Sequence, residues 1–272
     1  MDKKELRKNY IIKSDLLYRK YNNARPFYIY ILLFMLNHVP KRYINFFGKI
    51  TGPLRLKCSF RVLDKELKFY INSNLYDFKY HGGFITELRI SENILRLASN
   101  GSVFFDIGCA LGWYSILLSN KCKKIFGFDP YDDSSLINIP LNKIDNFKLY
   151  PYFISDHQES GKTIITTIDA LIAEGFLKPD IIKIDVERAE LEVLEGAKKL
   201  FNTFPPRIVL IETHSEKLFY ECVKFLKFFN YKVYNLGCPK INTGGDIYPL
   251  SYKLETDSFV AQSETRTIIG LK

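Results

Sequence analysis

The sequence predicts an α/β domain built on a mostly parallel, doubly wound sheet. Three observations carry that expectation. Short apolar strands alternate with helical stretches from residue 85 to residue 236, the pattern of βα units assembling into a parallel sheet. The apolar strand Val103–Ile107 runs into Asp106-x-Gly108-x-x-x-Gly112 and straight on into an apolar helix; side-chain-free positions there let backbone approach a ligand closely. Consecutive strand ends carry carboxylates: Asp106, Asp129, Asp156 beside Ser155, Asp185 with Glu187, and Glu212 with His214. In open α/β sheets the carboxyl ends of the strands are where ligands bind.

The elements follow in order. Residues 1–57 form a basic N-terminal segment, and residues 58–272 the main domain. Phe60–Ile71 alternates as one or two strands with a turn near Asp64-Lys65, and apolar residues 85, 88, 90, 94, 95 and 97 suit a helix over Ile85–Leu97. Then come Val103–Ile107, a helix from Trp113, strands Ile125–Phe128, Lys148–Phe153 and Ile181–Val186, and a helix from Ala189 to Leu200. Arg207–Ile211, a helix from Lys217 to Phe229 and Lys232–Leu236 complete the alternation, and the tail reads as strands at Tyr248–Lys253 and Asp257–Ala261.

Composition sets the outer bounds. A chain of 272 residues that is 47% hydrophobic has ample material for a core. Cysteines 58, 109, 122, 222 and 238 include no Cys-x-x-Cys pair, so neither a zinc knuckle nor a disulfide framework is indicated, and reduced thiols in the cytoplasm are expected. No cleavable signal peptide is visible. Charge is concentrated at the N-terminus. Residues 1–60 hold 13 Lys/Arg and 3 acids, a net of +10, which leaves 26 basic and 27 acidic residues, or −1, for the rest. The same segment contains the run Phe27–Leu36, too short to cross a bilayer, where about 20 apolar residues are needed. It suits either peripheral contact at a membrane surface or a helix docked on the domain. No nucleic-acid-binding motif accompanies the basic residues, so nucleic acid is not an expected partner.

The glycine loop also selects its ligand. An acid at its start, Asp106, disfavours a pyrophosphate and suits a cationic ligand such as S-adenosylmethionine, whose loop contacts would come from Gly108 and Gly112. Asp129, at the end of the next strand, suits the two ribose hydroxyls, and Ser155-Asp156 the adenine edge. A dinucleotide such as NAD is disfavoured because the third glycine of its usual loop is missing.

Across these residues the chain resembles the FkbM family of S-adenosylmethionine-dependent methyltransferases. Asp106-Ile-Gly108-Cys-Ala-Leu-Gly112 is similar to the family's D-x-G-A-N-x-G loop, and Phe128-Asp129-Pro130 to its aromatic-acid-proline block. Thr167-Ile-Asp169 is similar to its T-L-D element. Lys183-Ile-Asp185-Val-Glu187-Arg-Ala-Glu190 with Val193-Leu-Glu-Gly196-Ala197 is similar to its K-x-D-x-E-G-x-E run and following L-x-G-A. Ile211-Glu212-Thr-His214 resembles the acidic end of its fifth strand. The resemblance covers residues 81 to 237. It implies a Rossmann-like class I methyltransferase fold with C-terminal antiparallel strands, and O-methylation of a sugar, glycan or lipid-linked saccharide. Three positions depart from the family pattern: Cys109-Ala110 for Ala-Asn, Asp129 for Glu, and Arg188 for Gly. Arg188 would pair with a neighbouring carboxylate or meet an acidic substrate.

O-methylation needs an aligned acceptor and a proton acceptor. Asp185 and His214 are the candidate bases, with Lys183 tuning the acceptor or holding Asp185, and Glu187 and Glu212 completing the rim. Asp185, Glu212 and His214 are also types that can hold a divalent metal, but no metal belongs to the expected set. His81-Gly82-Gly83 suits a flap or a plain turn. Asp169 is expected to cap the helix over Ala170–Glu174, and Glu190 to favour a helix dipole. The rival reading is a non-catalytic interaction module on the same fold, which Cys109-Ala110 and Arg188 would favour.

Overall fold

The computed structural model describes residues 54–73, 85–133, 135–235, 248–249 and 266–272. Most of the basic segment 1–57, the His81-Gly82-Gly83 flap and the strand expected at Asp257–Ala261 lie outside the described residues. The chain divides into two compact units, Met1–Ile94 and Leu95–Lys272. In the first, β1 (Leu54–Val62) and β2 (Lys65–Ser73) form an antiparallel hairpin whose Val62 pairs with Lys65 around a Leu63-Asp64 turn. Leu67 and Phe69 are buried at period two, as a half-buried strand requires. The boundary expected at residues 57/58 falls within β1. Helix α1 (Ile85–Leu97) has the bounds its apolar spacing implies.

The second unit is built on β3 (Ser102–Ile107), α2 (Trp113–Leu118), β4 (Cys122–Phe128), α3 (Ser135–Leu141) and β5 (Phe147–Tyr150). Next come β6 (Tyr152–Ile154), β7 (Ile164–Thr166), α4 (Ile168–Ala173), β8 (Ile181–Ile184), α5 (Glu190–Glu195) and α6 (Lys198–Thr203). Finally come β9 (Ile208–Thr213), α7 (Glu216–Phe228), β10 (Lys232–Asn235), β11 (Tyr248–Pro249) and β12 (Arg266–Leu271). The main sheet has the order β11-β10-β12-β9-β8-β3-β4-β5, parallel throughout except that β12 runs antiparallel to both β9 and β10. This is the Rossmann-like class I methyltransferase architecture, with its antiparallel C-terminal strand inserted before the edge. The strand order reverses between β3 and β8, the switch point at which such sheets open a crevice.

Burial explains why these strands read as continuous apolar runs. Both faces are covered, so every residue of β3 and of β8 is buried, including the charged Asp106 and Lys183. Phe104 and Phe105 are fully buried, each stabilising by about 1.5–3 kcal/mol relative to exposure. Phe105 meets Phe126 and Phe128 edge-on at 5.3 Å. Helix α7 packs with Phe219, Cys222, Val223 and Leu226 inward, an i, i+3, i+4, i+7 stripe.

Three elements differ from the sequence expectation. The single strand expected at Lys148–Phe153 divides at Pro151, which has no N–H for the ladder. β5 stays with the main sheet while β6 pairs with β7 in a separate parallel pair. The helix expected from Ala189 to Leu200 is interrupted at Gly196-Ala197. There a Cβ on Gly196 would stand 2.0 Å from the Ser155 carbonyl oxygen, so the chain passes too close to β6 for any side chain. Asp169 does not cap its own helix. Thr167 does, accepting from Ala170 N at 3.0 Å, while the Asp169 carboxylate accepts from Lys199 N and Leu200 N at 2.8 Å and so starts α6. In the tail, Tyr248–Pro249 is a short strand, and β12 lies further on, at Arg266–Leu271. Among the described residues, no helix is long and apolar enough to cross a membrane.

Candidate active site

Parallel pairing of β3 with β8 puts Asp106 opposite Lys183 at the switch point. Lys183 and Asp185 are two residues apart and share one side of the strand path. The Lys183 ammonium, 4% exposed, donates to the Gly108 carbonyl at 2.6 Å and stands 3.1 Å from Asp185 Oδ2 and 3.7 Å from Asp106 Oδ1. A single buried cation thus ties together the glycine loop and the acids of two strands.

Asp106 is fully buried, and its Oδ2 accepts from the backbone N–H and hydroxyl of Ser115 at 3.1 and 2.6 Å. Its carboxylate therefore fastens the start of α2 behind the loop. Burial raises its proton affinity above the ordinary carboxylate value, with Lys183 opposing. Oδ1 is buried without a hydrogen-bond partner, leaving only the 3.7 Å ion pair with Lys183.

The loop itself is formed by close approach. Gly108 has φ 71°, and a Cβ there would lie 1.8 Å from the Asp185 carbonyl oxygen. Gly112 has φ 79° and occupies the N-cap of α2 without a side-chain cap. Asp129 braces the other side: Oδ2 accepts from Ala110 N at 3.0 Å, and Oδ1 from Tyr131 N and Asp132 N at 3.0 and 2.9 Å. Burial pushes the Cys109 thiol well above its usual value, so it stays protonated.

On the other flank of β8, β9 delivers Glu212 and the turn that follows it delivers His214. His214 Nδ1 meets Glu190 Oε1 at 2.5 Å, and Nε2 stands 3.8 Å from Asp185 Oδ1. Hydrogen bonding to Glu190 raises His214 above the ordinary imidazole value against the opposing effect of burial. Glu212 is raised as well, by burial and by the Asp185 charge. Glu190, expected only to favour a dipole, is fully buried and serves as the imidazole's partner. A signal for it existed. Positions 190, 193, 194 and 197 make one helical stripe, and an acid among Val193, Leu194 and Ala197 needs a buried partner.

The remaining candidates spread outward. Glu187 and Arg188 are exposed in the turn between β8 and α5, and neither makes an ion pair with a described residue. Arg188 therefore does not form the neighbouring ion pair expected of it there. It has φ 70°, and Ala110 has φ 41°: two of the departures from the family pattern thus fall on left-handed backbone that Gly and Asn tolerate best. Ser155 is buried, its hydroxyl 3.1 Å from Glu192 Oε2 and 3.3 Å from Asp156 Oδ1, and Asp156 pairs with His157 at 2.8 Å. Among the described residues, no group of three or more His, Cys, Asp and Glu side chains is arranged to hold a metal ion.

The glycine loop and the acids Asp106 and Asp185 meet at the β3–β8 switch point of a Rossmann-like sheet. Residues 162–233 match the family model described as Methyltransferase FkbM domain, within the span over which the resemblance was expected. A hexuronic acid methyltransferase, AglP, of Haloferax volcanii is 29% identical over 159 residues. That alignment covers 48% of this chain and 65% of the relative, slightly under two thirds of its length. Among solved structures, a methyltransferase FkbM from Methylobacillus flagellatus is 14% identical, with TM-score 0.43, covering 64% of this chain and 44% of its own. The M. jannaschii TYW2 structure in complex with AdoMet is 12% identical, with TM-score 0.44, covering 81% of this chain and 87% of its own.

Proposed function

We propose that the protein is an S-adenosylmethionine-dependent methyltransferase acting on a hydroxyl of a sugar, glycan or lipid-linked saccharide. The observation that carries the reading is the convergence of Asp185 and His214 beside the Lys183-bound glycine loop. The FkbM match and the relationship to a hexuronic acid methyltransferase support the saccharide class.

The residues fit the cofactor. Gly108 lets the loop pass directly against the Asp185 carbonyl, which no side chain would allow, and the acids around it favour a sulfonium and an ammonium while repelling a pyrophosphate. Gly108 and Gly112 would admit the cofactor backbone, Asp129 would meet the ribose, Ser155-Asp156 would lie toward the adenine, and Asp106 would hold the loop from behind. When bound, S-adenosylmethionine supplies an electrophilic methyl group on a cationic sulfur. The chain's own task is to orient the acceptor oxygen and take its proton as the new C–O bond forms. Asp185, fixed by Lys183, and His214 flank the space for that hydroxyl, and Glu187 lies exposed at its rim. The exposed, left-handed Arg188 would greet an acidic sugar.

Isothermal titration with S-adenosylhomocysteine, with NAD in a parallel cell, tests the reading without knowledge of the acceptor. Selective micromolar binding is expected. Absence of binding to either ligand would favour the non-catalytic module. For the basic segment 1–57 we propose contact with an anionic membrane surface, read by flotation of the full chain with anionic but not neutral vesicles.

A further inference from the structure

We infer that Glu190 is a positioning residue for proton removal, holding His214 with its proton on Nδ1 so that Nε2 receives the proton of the acceptor hydroxyl. The inference rests on the methyltransferase reading and assigns the base within it.

Glu190 is fully buried at the start of α5, its Oε1 is 2.5 Å from His214 Nδ1, and its Oε2 is buried without a hydrogen-bond partner. A buried carboxylate with one unpartnered oxygen is costly, and an apolar side chain would satisfy the stripe that continues through Val193, Leu194 and Ala197. Among the described residues its carboxylate hydrogen-bonds one group, an imidazole whose other nitrogen stands 3.8 Å from Asp185 Oδ1. An ionised carboxylate can only accept, so the neutral imidazole carries its hydrogen on Nδ1 and presents a lone pair at Nε2. The same logic orients the histidine of acyl-transfer triads on unrelated folds.

The open nitrogen is well placed. Nε2 and Asp185 Oδ1 are 3.8 Å apart, beyond hydrogen-bonding distance. A hydroxyl oxygen about 2.8 Å from Nε2 can donate its one proton to that nitrogen. Asp185 is tied through Oδ2 to the Lys183 ammonium at 3.1 Å, whereas the imidazole's ordinary proton affinity lies nearer working pH, which makes His214 the flanking group suited to take the proton. The hydroxyl proton would pass to Nε2 as its oxygen takes the methyl group, with the sulfonium C–S bond breaking to release neutral S-adenosylhomocysteine, and Glu190 and Asp185 lie on either side of the resulting imidazolium.

Among the described residues, the charged groups acting on the imidazole are Glu190 from α5, Asp185 after β8 and Glu212 from β9, with Lys183 behind Asp185 at 3.1 Å. Cys222 of α7 lies near Glu190, and burial first, then the Glu190 charge, pushes its thiol up to about 12, so it remains neutral. Acids outnumber the one cation. Proton uptake by Nε2 is therefore favoured over that of an isolated imidazole, and the base form gains population at higher pH than it would in an isolated imidazole.

The test is nitrogen-detected NMR of the full chain, with His214→Gln to assign the signal among the 4 histidines, alongside the pH profile of methyl transfer. In the wild type, neutral His214 is expected to carry its proton on Nδ1 and to titrate above 6.5, the ordinary value. Glu190→Gln should lower that midpoint and move the acid limb of kcat/KM down with it. It should also reduce kcat by about a hundredfold, with S-adenosylhomocysteine affinity unchanged, and Glu190→Asp should recover part of the loss. A wild-type tautomer protonated on Nε2 overturns the inference even if Glu190→Gln fails to fold, and so does a Glu190→Gln protein with unmoved titration and limb. Loss of the methyltransferase reading would look different: wild type would keep the Nδ1 tautomer but fail to bind S-adenosylhomocysteine.

Discussion

Gly108→Ala should be far more damaging than its backbone angle alone predicts, and Gly101 provides the internal control. Both glycines are left-handed, with φ of 71° and 79°, so Ala at either site incurs a conformational cost of about 1 kcal/mol. At Gly101 a Cβ meets nothing within 4 Å, whereas at Gly108 it would lie 1.8 Å from the Asp185 carbonyl oxygen. Contacts below 3.0 Å are essentially never seen, so the two chains must separate by at least 3.0 − 1.8 = 1.2 Å. The bond at risk is that from Asp185 N to the Ile107 carbonyl at 3.0 Å, the last rung between β3 and β8. Losing that rung costs about 1 kcal/mol, and forced overpacking a further 1–3 kcal/mol, roughly. Gly108→Ala should thus be about 2–4 kcal/mol less stable than Gly101→Ala. At about 2–4 °C per kcal/mol for a unit of this size, it should melt roughly 5–15 °C lower. Thermal unfolding of the two variants side by side gives the comparison, and S-adenosylhomocysteine titration should show binding lost only in Gly108→Ala. Melting points within about 2 °C of each other would refute the close-approach argument.

Lys183→Met should destabilise by about 3–5 kcal/mol because it strands the buried Asp106 charge; adding Asp106→Asn should recover more than about 1 kcal/mol in a urea-denaturation cycle. Arg188→Gly and Ala110→Asn should each relieve left-handed strain and stabilise by up to about 1 kcal/mol, raising Tm by about 2–4 °C, and failure of both would mean that the φ values of 70° and 41° carry no strain. His214 is raised in the folded state, so its stabilisation is complete below 6.5, its unfolded value, and is lost as pH rises through the folded value. Wild type should accordingly lose stability across that window by denaturant titration, whereas His214→Gln should lack this component of the slope.

The fold was legible because the main sheet is covered on both faces. Buried parallel strands must be apolar along their whole length, so Val103–Ile107, Ile181–Val186 and Arg207–Ile211 stood out, and their alternation with helices implied the topology. What escaped was set by contacts between distant segments. Nothing local in Glu195-Gly196-Ala197-Lys198 says that the Ser155 carbonyl will lie against Gly196, or that Asp169 will cap a helix that begins 29 residues later, at Lys198. Similarly, β12 is a short run, Arg266–Leu271, without alternation to announce it, and it becomes a strand because the gap between β9 and β10 pairs both its edges.

The site divides along the same line. Strand-end acids and loop glycines announce themselves by position, so Asp106, Gly108, Gly112, Asp129, Lys183, Asp185 and His214 could be nominated as candidates from the sequence alone. Their division of labour depends on which way each side chain faces. Asp106 reads as a residue greeting a cationic ligand, yet its carboxylate faces Ser115 and Lys183 under the loop. Glu190 reads as an acid favouring a helix dipole, yet it is sealed against His214. In both cases a buried acid holds a neighbouring group in place, the start of α2 behind the loop or the His214 ring, at a cost in stability. The left-handed Ala110 and Arg188 stand on the exposed side of the same framework. Strain tolerated at the surface and charge tolerated in the interior thus bracket one crevice. Their joint presence at the β3–β8 switch point argues for a site maintained for chemistry, because a module that only needed to fold would gain stability by discarding both.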